Sequence, residues 1–301
     1  MRKNIYSIFL IYFFITTTPI LGQKRLTDLE NQLQSIICHK KAQIGIAVLL
    51  NGKDTVLVNN NIHYPMLSVY KFHQALAIAH QVERCGITLD HSILIDKSDL
   101  KTNTYSPLRD KYPQGNINMS LKELLTYTLQ QSDNNACDIL FKYIANTKNT
   151  DRYIRSLGLE QFSISATEAD MHNNVENCYQ NWTTPLEAAR LLNIFISDSI
   201  LDTANQTFLM KTMIECQTGK DRLAKPLLHS KAVIGHKTGT GDRNKNGQII
   251  GFNDIGFVLL PDGNKYTIAI FIKDSEETEK NNSQIIAKLS EVVYNYIMNQ
   301  L

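Results

Sequence analysis

The chain has 301 residues, of which 43% are hydrophobic and 20% charged, and its formal net charge is +2. That composition supplies enough apolar mass for a real core, in one large domain or two modest ones. The near-neutral charge gives no handle to nucleic acid or to an acidic lipid surface. The first element is read in residues 1–22. Arg2 and Lys3 precede an apolar run, Ile5 to Ile15, and a small residue, Gly22, follows. This pattern predicts a signal peptide cleaved after Gly22, with Gln23 opening a mature chain that is periplasmic or secreted. The run falls short of the ~20 residues that span a bilayer, and no later stretch is long enough, so no membrane partner is expected after signal removal.

Thr27-Asp28-Leu29-Glu30 is a capping box, and Leu29, Leu33, Ile36 and Ile37 follow at helical spacing, predicting a first helix that starts there. Asn51-Gly52 between the β-prone runs Ile44–Leu50 and Thr55–Val58 predicts a hairpin. Ser68 to about Glu83 reads as one helix without Gly or Pro. Ser120-Leu121-Lys122-Glu123 is a second capping box, and another helix is predicted from near Asp133 through Tyr143. The segment 162–183 is polar and aperiodic, a long loop of the kind that is usually functional. Thr184-Pro185-Leu186-Glu187 marks a further helix start. Strands are predicted at Ile249–Leu260 and Tyr266–Ile272, separated by the turn Pro261-Asp262-Gly263-Asn264. A last helix carries Ile285, Ile286, Leu289, Val292, Val293 and Tyr296.

The predicted fold class is α+β. Strands from both ends of the chain form one antiparallel sheet flanked by helices, with an all-α lobe inserted between them. The expected division is residues 23–65 and 215–301 for the α/β lobe and 66–214 for the helical lobe, which includes the loop at about 162–183. The five cysteines, Cys38, Cys85, Cys137, Cys178 and Cys216, are widely spaced and read as mostly buried small apolar residues, their pairing left open.

Three short motifs stand in order: Ser68-Val69-Tyr70-Lys71 (S-x-x-K), Ser132-Asp133-Asn134 (S-D-N) and Lys237-Thr238-Gly239 (K-T-G). The first is weak alone, and Ser98-Asp99-Leu100-Lys101 is a second copy. Context favours Ser68, which opens an apolar helix on which Lys71 lies one turn away on the same face. There the hydroxyl also sits at a helix N-terminus, where developing negative charge is favoured.

With these motifs the chain resembles class A serine β-lactamases. Its Thr167-Glu168-Ala169-Asp170-Met171-His172 stretch is similar to that of a class A subgroup of extended-spectrum, cephalosporin-hydrolysing enzymes. The resemblance covers nearly all of the mature chain. It implies Ser68 as the nucleophile that opens the strained β-lactam amide, and Glu168 as the base that clears the acyl-enzyme. Either Lys71 or Glu168 acts as base for acylation. Ser132 passes a proton to the leaving nitrogen, and Asn134 holds the substrate amide. The backbone N–H groups of Ser68 and Thr240 form the oxyanion hole, and Lys237, Thr238 and Thr240 hold the substrate carboxylate. Tyr105 stands as an aromatic gate, and Asn181-Trp182-Thr183-Thr184-Pro185 ends the loop. Many class A enzymes carry Arg, Pro and Asn around the glutamate where this chain has Ala166, Ala169 and His172, so His172 is expected to help hold the deacylating water. No Arg is found where many members place an additional carboxylate-binding residue, Arg243 being equally compatible with an exposed turn.

The same motifs occur in penicillin-binding D,D-carboxypeptidases and transpeptidases of peptidoglycan, from which Glu168 distinguishes this chain. A non-catalytic β-lactam sensor lacks support, since no signalling segment accompanies the motifs. The eight histidines form no H-x-H-x-D or H-E-x-x-H, and there is no G-x-S-x-G elbow. A monomer acting on a small β-lactam, with no cofactor and no metal, is therefore expected. His73 and His80 read as packed side chains.

Overall fold

The computed structural model describes residues 18–299, with side chains from residue 26. Most of the predicted signal peptide, residues 1–17, lies outside the described residues. The first helix, α1 (Thr18–Ile37), runs through the expected cleavage point at Gly22. It also corrects an expectation: Thr27 does not open this helix but lies inside it. Pro19 is tolerated in a first turn, and Leu21, Gln23, Lys24, Arg25 and Leu26 are good helix formers, so the helix is already running when it reaches Thr27.

The hairpin β1 (Gln43–Leu50) and β2 (Asp54–Val58) forms as predicted. Asn51 and Gly52 have φ of +51° and +68°, the left-handed values that a tight hairpin of this twist requires. Next come β3 (Tyr64–Pro65), a 3-10 turn at Leu67–Val69, α2 (Tyr70–Arg84) and β4 (Ser92–Ile95). The single predicted helix at 68–83 is thus a tight turn followed by a helix. After α3 (Pro107–Lys111), β5 (Ile117–Ser120) pairs with β4. The Ser120–Glu123 capping box opens α4 (Leu121–Gln130), and Asp133 caps α5 (Asn134–Tyr143). α6 (Thr147–Ser156) follows.

The expected loop at 162–183 contains short elements: β6 (Phe162–Ser163), α7 (Glu168–Asn173), a 3-10 turn at Val175–Tyr179 and β7 (Trp182–Thr183). Each is too short to generate a legible period. Thr184 caps α8 (Pro185–Ser197), with Pro185 in its first turn, and α9 (Thr203–Ile214) succeeds it. β8 (Val233–Thr240), β9 (Ile249–Leu259), β10 (Lys265–Ser275) and α10 (Glu279–Met298) complete the chain.

One antiparallel sheet runs β2-β1-β10-β9-β8, so strands from both ends of the chain share it, as predicted. On one face Leu29, Leu33 and Ile37 of α1 meet Ile286, Leu289 and Val293 of α10 over Ile46, Val48 and Ile270. On the other face Ala47, Phe257 and Phe271 pack with α8 and with the central helix α2. Each such large apolar side chain contributes about 1.5–3 kcal/mol on burial. α2 is buried from Tyr70 to Ala79. Its polar residues, Lys71 among them, are carried into the interior and must find partners there.

Candidate active site

The site begins with a strained turn. Leu67 has φ of +48°, a conformation that costs a branched residue about 1–3 kcal/mol and persists only where the surroundings hold it. Here they do. The Asn253 side-chain amide of β9 donates to the carbonyls of Pro65 (2.8 Å) and Met66 (3.1 Å), and Met66 N donates to the Asn181 carbonyl (2.8 Å). Ser68 is thereby presented at the N-terminal end of α2, on the wall of a cleft of about 540 Å³. β8 closes on the same turn. A Cβ at Gly239 would lie 2.5 Å from the Met66 carbonyl oxygen, so only glycine allows this approach. Gly239→Ala is expected to push β8 from the turn and destabilise the fold by about 1–3 kcal/mol, which a lowered thermal unfolding midpoint checks.

Lys71, fully buried, gathers the other parts. Its Nζ donates to the Ser132 carbonyl (2.8 Å) and Asn134 Oδ1 (2.7 Å) and lies 3.1 Å from Glu168 Oε1. An ammonium has three N–H groups, and all three find acceptors. The S-D-N turn is locked by the buried Asp133. Its carboxylate accepts from the Ser106 hydroxyl (2.9 Å), Leu108 N (2.6 Å) and Ala136 N (2.9 Å). Ser132 itself sits at φ +60°. Its hydroxyl accepts from Lys237 Nζ (2.9 Å), which also donates to the Thr238 carbonyl. Burial, reinforced by the charge of Lys71, pushes the Lys237 amine down to about 7. Asn134 Nδ2 donates to Thr104 Oγ1 (2.8 Å), and Asn134 N donates to the carbonyl of Tyr105.

Glu168 is the first residue of α7, which Thr167 caps from its own chain. Asp138 of α5 grips the same turn from outside. Its two carboxylate oxygens accept from Glu168 N and Ala169 N, at 2.9 Å each. Burial, with the charge of Glu168 added, pushes Asp138 up to about 7. The Tyr70 hydroxyl donates to Glu168 Oε1 (3.0 Å), the oxygen that Lys71 approaches. The loop is closed through backbone at Ala166, where the resemblance leads one to look for Arg. Asn181 Oδ1 accepts from Ser165 N (2.8 Å) and Ala166 N (2.9 Å), and its Nδ2 donates to the Ala166 carbonyl (2.8 Å).

The motif residues and the others expected at the site converge here. Ser68, Ser132, Asn134, Glu168, Thr238 and Thr240 line the cleft, as do the exposed Tyr105 and His172, while Lys71 and Lys237 lie buried beneath them. Ser98 is not among them; it is exposed in a separate 3-10 turn. Among the cleft residues that sequence reasoning missed is Arg222. Its Nη2 donates to Thr240 Oγ1 (2.7 Å), its Nη1 donates to the Asn253 carbonyl (2.9 Å), and it stacks 3.6 Å over the Phe252 ring. Nothing local marks it, since it comes from the irregular segment between α9 and β8. Arg243 by contrast donates to the Gly247 carbonyl in its exposed turn. His73 and His80 are packed as predicted, His73 fully buried and His80 stacked on Tyr153 at 4.3 Å. All five cysteines are free thiols, three of them buried. Among the described residues no group of three or more His, Cys, Asp or Glu is placed to hold a metal.

Chemically, the cleft offers a hydroxyl at a helix N-terminus, an amine one turn away, a carboxylate bonded to that amine, and a cationic floor of Lys237 and Arg222. Known proteins resemble this chain over most of its length. A family model described as the β-lactamase enzyme family matches residues 28–297. A β-lactamase of Bacteroides uniformis is 41% identical over 96% of this chain and 98% of its own. The extended-spectrum β-lactamase PER-1 of Pseudomonas aeruginosa is 35% identical over 91% of this chain and 88% of its own. The crystal structure of TLA-3 extended-spectrum β-lactamase superposes with a TM-score of 0.87 at 42% identity, covering 90% of this chain and 99% of that one. A representative class A β-lactamase of Bacteroides cellulosilyticus gives 0.87 at 44% identity, covering 91% and 99%. The chain belongs to the β-lactamase enzyme family and is a serine β-lactamase of class A.

Proposed function

We propose that the chain hydrolyses β-lactams through an ester on Ser68 that is cleared by water activated at Glu168. The observation that carries this reading is the placement of the Glu168 carboxylate at the cleft wall, 3.1 Å from the amine of Lys71 on the Ser68 helix. Ser68 attacks the lactam carbonyl, its proton going to Lys71 or through water to Glu168. The backbone N–H groups of Ser68 and Thr240 stabilise the oxyanion, each worth about 3–4 kcal/mol. Ser132, bonded to Lys237, relays a proton to the leaving nitrogen. Asn134 holds the substrate amide, Tyr105 gates the cleft, and His172 helps seat the water that Glu168 deprotonates.

Lys237, Thr238, Thr240 and Arg222 hold the substrate carboxylate. Arg222→Ala is expected to raise KM for a carboxylate-bearing β-lactam by roughly tenfold or more while leaving the corresponding ester unaffected, as measured by steady-state kinetics. Two relatives bear extended-spectrum names, and the substrate range proposed here is penicillins together with cephalosporins. Processing at Gly22, export to the periplasm or beyond and action as a monomer complete the reading, with residues 66–214 forming the helical lobe beside the sheet. Among the described residues no helix is long and apolar enough to cross a membrane. Turnover of a penicillin is the direct test. Continuous hydrolysis supports the reading; stoichiometric trapping without release over hours overturns it in favour of a D,D-carboxypeptidase or transpeptidase.

A further inference from the structure

Behind the K-T-G strand a chain of hydrogen bonds leads from the cleft into the sheet. Thr238 Oγ1 lies 2.7 Å from Thr218 Oγ1, and both residues line the cleft. Thr218 Oγ1 lies 3.5 Å from Cys216 Sγ, and the Thr218 carbonyl lies 3.6 Å from the same sulfur. The His236 side chain also stands within electrostatic reach of the thiol. His236 Nδ1 is 3.0 and 3.1 Å from the two oxygens of Asp254, which also accepts from Leu223 N. Cys216, His236 and Asp254 are all buried, and none of them lines the cleft.

We infer that Cys216 is a positioning residue: by setting the direction of the hydrogen bonds through Thr218, it decides whether the Thr238 hydroxyl donates into the cleft. The consequence for substrate presupposes the carboxylate role proposed above for Thr238. A hydroxyl owns one proton, so a run of two hydroxyls ending at a sulfur takes its direction from that sulfur. As a thiol, Cys216 has one proton, shared between the Thr218 carbonyl and the Thr218 hydroxyl; when the hydroxyl accepts it, Thr218 donates to Thr238 and the Thr238 proton is free for a carboxylate. As a thiolate, Cys216 only accepts. Thr218 then turns its proton to the sulfur and accepts from Thr238, which is left presenting a lone pair to the substrate anion.

The surroundings bring this ionisation into a working range. Burial alone would raise the Cys216 thiol, but the His236 imidazolium, with Lys237 and Thr218, outweighs it and brings the thiol down to about 7. Burial would lower His236, yet Asp254, together with Cys216, holds it up at about 10. The charged groups around the sulfur are His236 and Lys237 on β8, Asp254 on β9, and Arg222 from the segment after α9, itself influenced by Asp221 and Glu279.

The test follows KM and kcat against pH for a carboxylate-bearing β-lactam in the wild type, Cys216→Ser and Thr218→Val. Thiolate ultraviolet absorbance is read in parallel, as the difference from Cys216→Ser. Lys237 titrates in every variant, and Cys216→Ser also removes the thiolate that raises it, so the departure of Thr218→Val from the wild-type curve is what counts. In the wild type KM is expected to rise roughly tenfold as the Cys216 thiolate forms, the worth of one hydrogen bond to a charged group, with kcat little changed. Thr218→Val still forms the thiolate but loses this rise, and Cys216→Ser, whose hydroxyl remains a donor, loses it too. A Thr218→Val curve superimposable on the wild type's overturns the inference, as does a Cys216 that stays a thiol throughout. Thr238→Val separates the two failures. If it leaves KM unchanged at every pH, the carboxylate role has failed and the inference falls with it. If it raises KM while the wild-type and Thr218→Val curves coincide, only the relay has failed.

Discussion

Ser68→Ala is expected to abolish acylation and turnover together, with kcat falling by about 10⁴- to 10⁶-fold. The size of the loss follows from the geometry. Lys71, Ser132, Lys237 and Glu168 are organised around one hydroxyl, and none of the other cleft residues offers a nucleophile at the N-terminal end of α2. The strained Leu67 turn and the Gly239 contact belong to backbone and survive the substitution. The variant should therefore fold, bind β-lactam and leave it intact. Mass spectrometry after incubation with a penicillin reads out the covalent adduct directly. An adduct of the variant, or retained hydrolysis, excludes Ser68 as the nucleophile and reopens the case for the second S-x-x-K serine, Ser98.

Glu168→Gln is expected to separate the two halves of the reaction. Removing a general base from the deacylation step should lower kcat by about 10²- to 10⁴-fold, and the Ser68 ester should then accumulate to near full occupancy. The substitution keeps the shape of the loop. Glu168 N still donates to Asp138, Thr167 still caps α7, and Asn181 still fastens Ala166. What it removes is the charge facing Lys71 at 3.1 Å, while the glutamine amide oxygen still offers an acceptor to the Tyr70 hydroxyl. Rapid-mixing mass spectrometry distinguishes the two candidate bases for acylation. If Lys71 serves, the variant acylates at close to the wild-type rate and then stalls. If Glu168 serves through water, acylation slows as well. A variant that turns over normally removes Glu168 from the mechanism.

Much of this molecule is legible in the chain. The Asn51-Gly52 turn, the Ser120–Glu123 box and the Thr184-Pro185 start each act over a few residues, and each forms where the sequence indicates. The motif set picks out Ser68, Lys71, Ser132, Asn134, Lys237 and Thr238 because side chains at fixed offsets on a helix, a turn and a strand carry their chemistry locally. Thr27 misled because a capping box states only that a helix can start there, and the residues before it are equally willing to be helical. Strand β8 escaped notice because His236 to Gly239 are buried on both faces, which erases the alternation of a half-exposed strand.

Other features were decided by tertiary structure alone. Arg222 enters the cleft because the segment after α9 crosses β8 and β9, bringing it to Thr240 and the Asn253 carbonyl. Asp138 holds Glu168 across 30 residues, and Asn253 holds the Ser68 turn across 188. Cys216, His236 and Asp254 meet only because β8 pairs with β9 in the register that sets Thr238 against Asp254. The sequence by itself determined which chemical groups are present and the local elements that carry them. Which groups face one another, how deeply each is buried and therefore how each titrates depend on contacts between distant segments, and no local period or propensity encodes those.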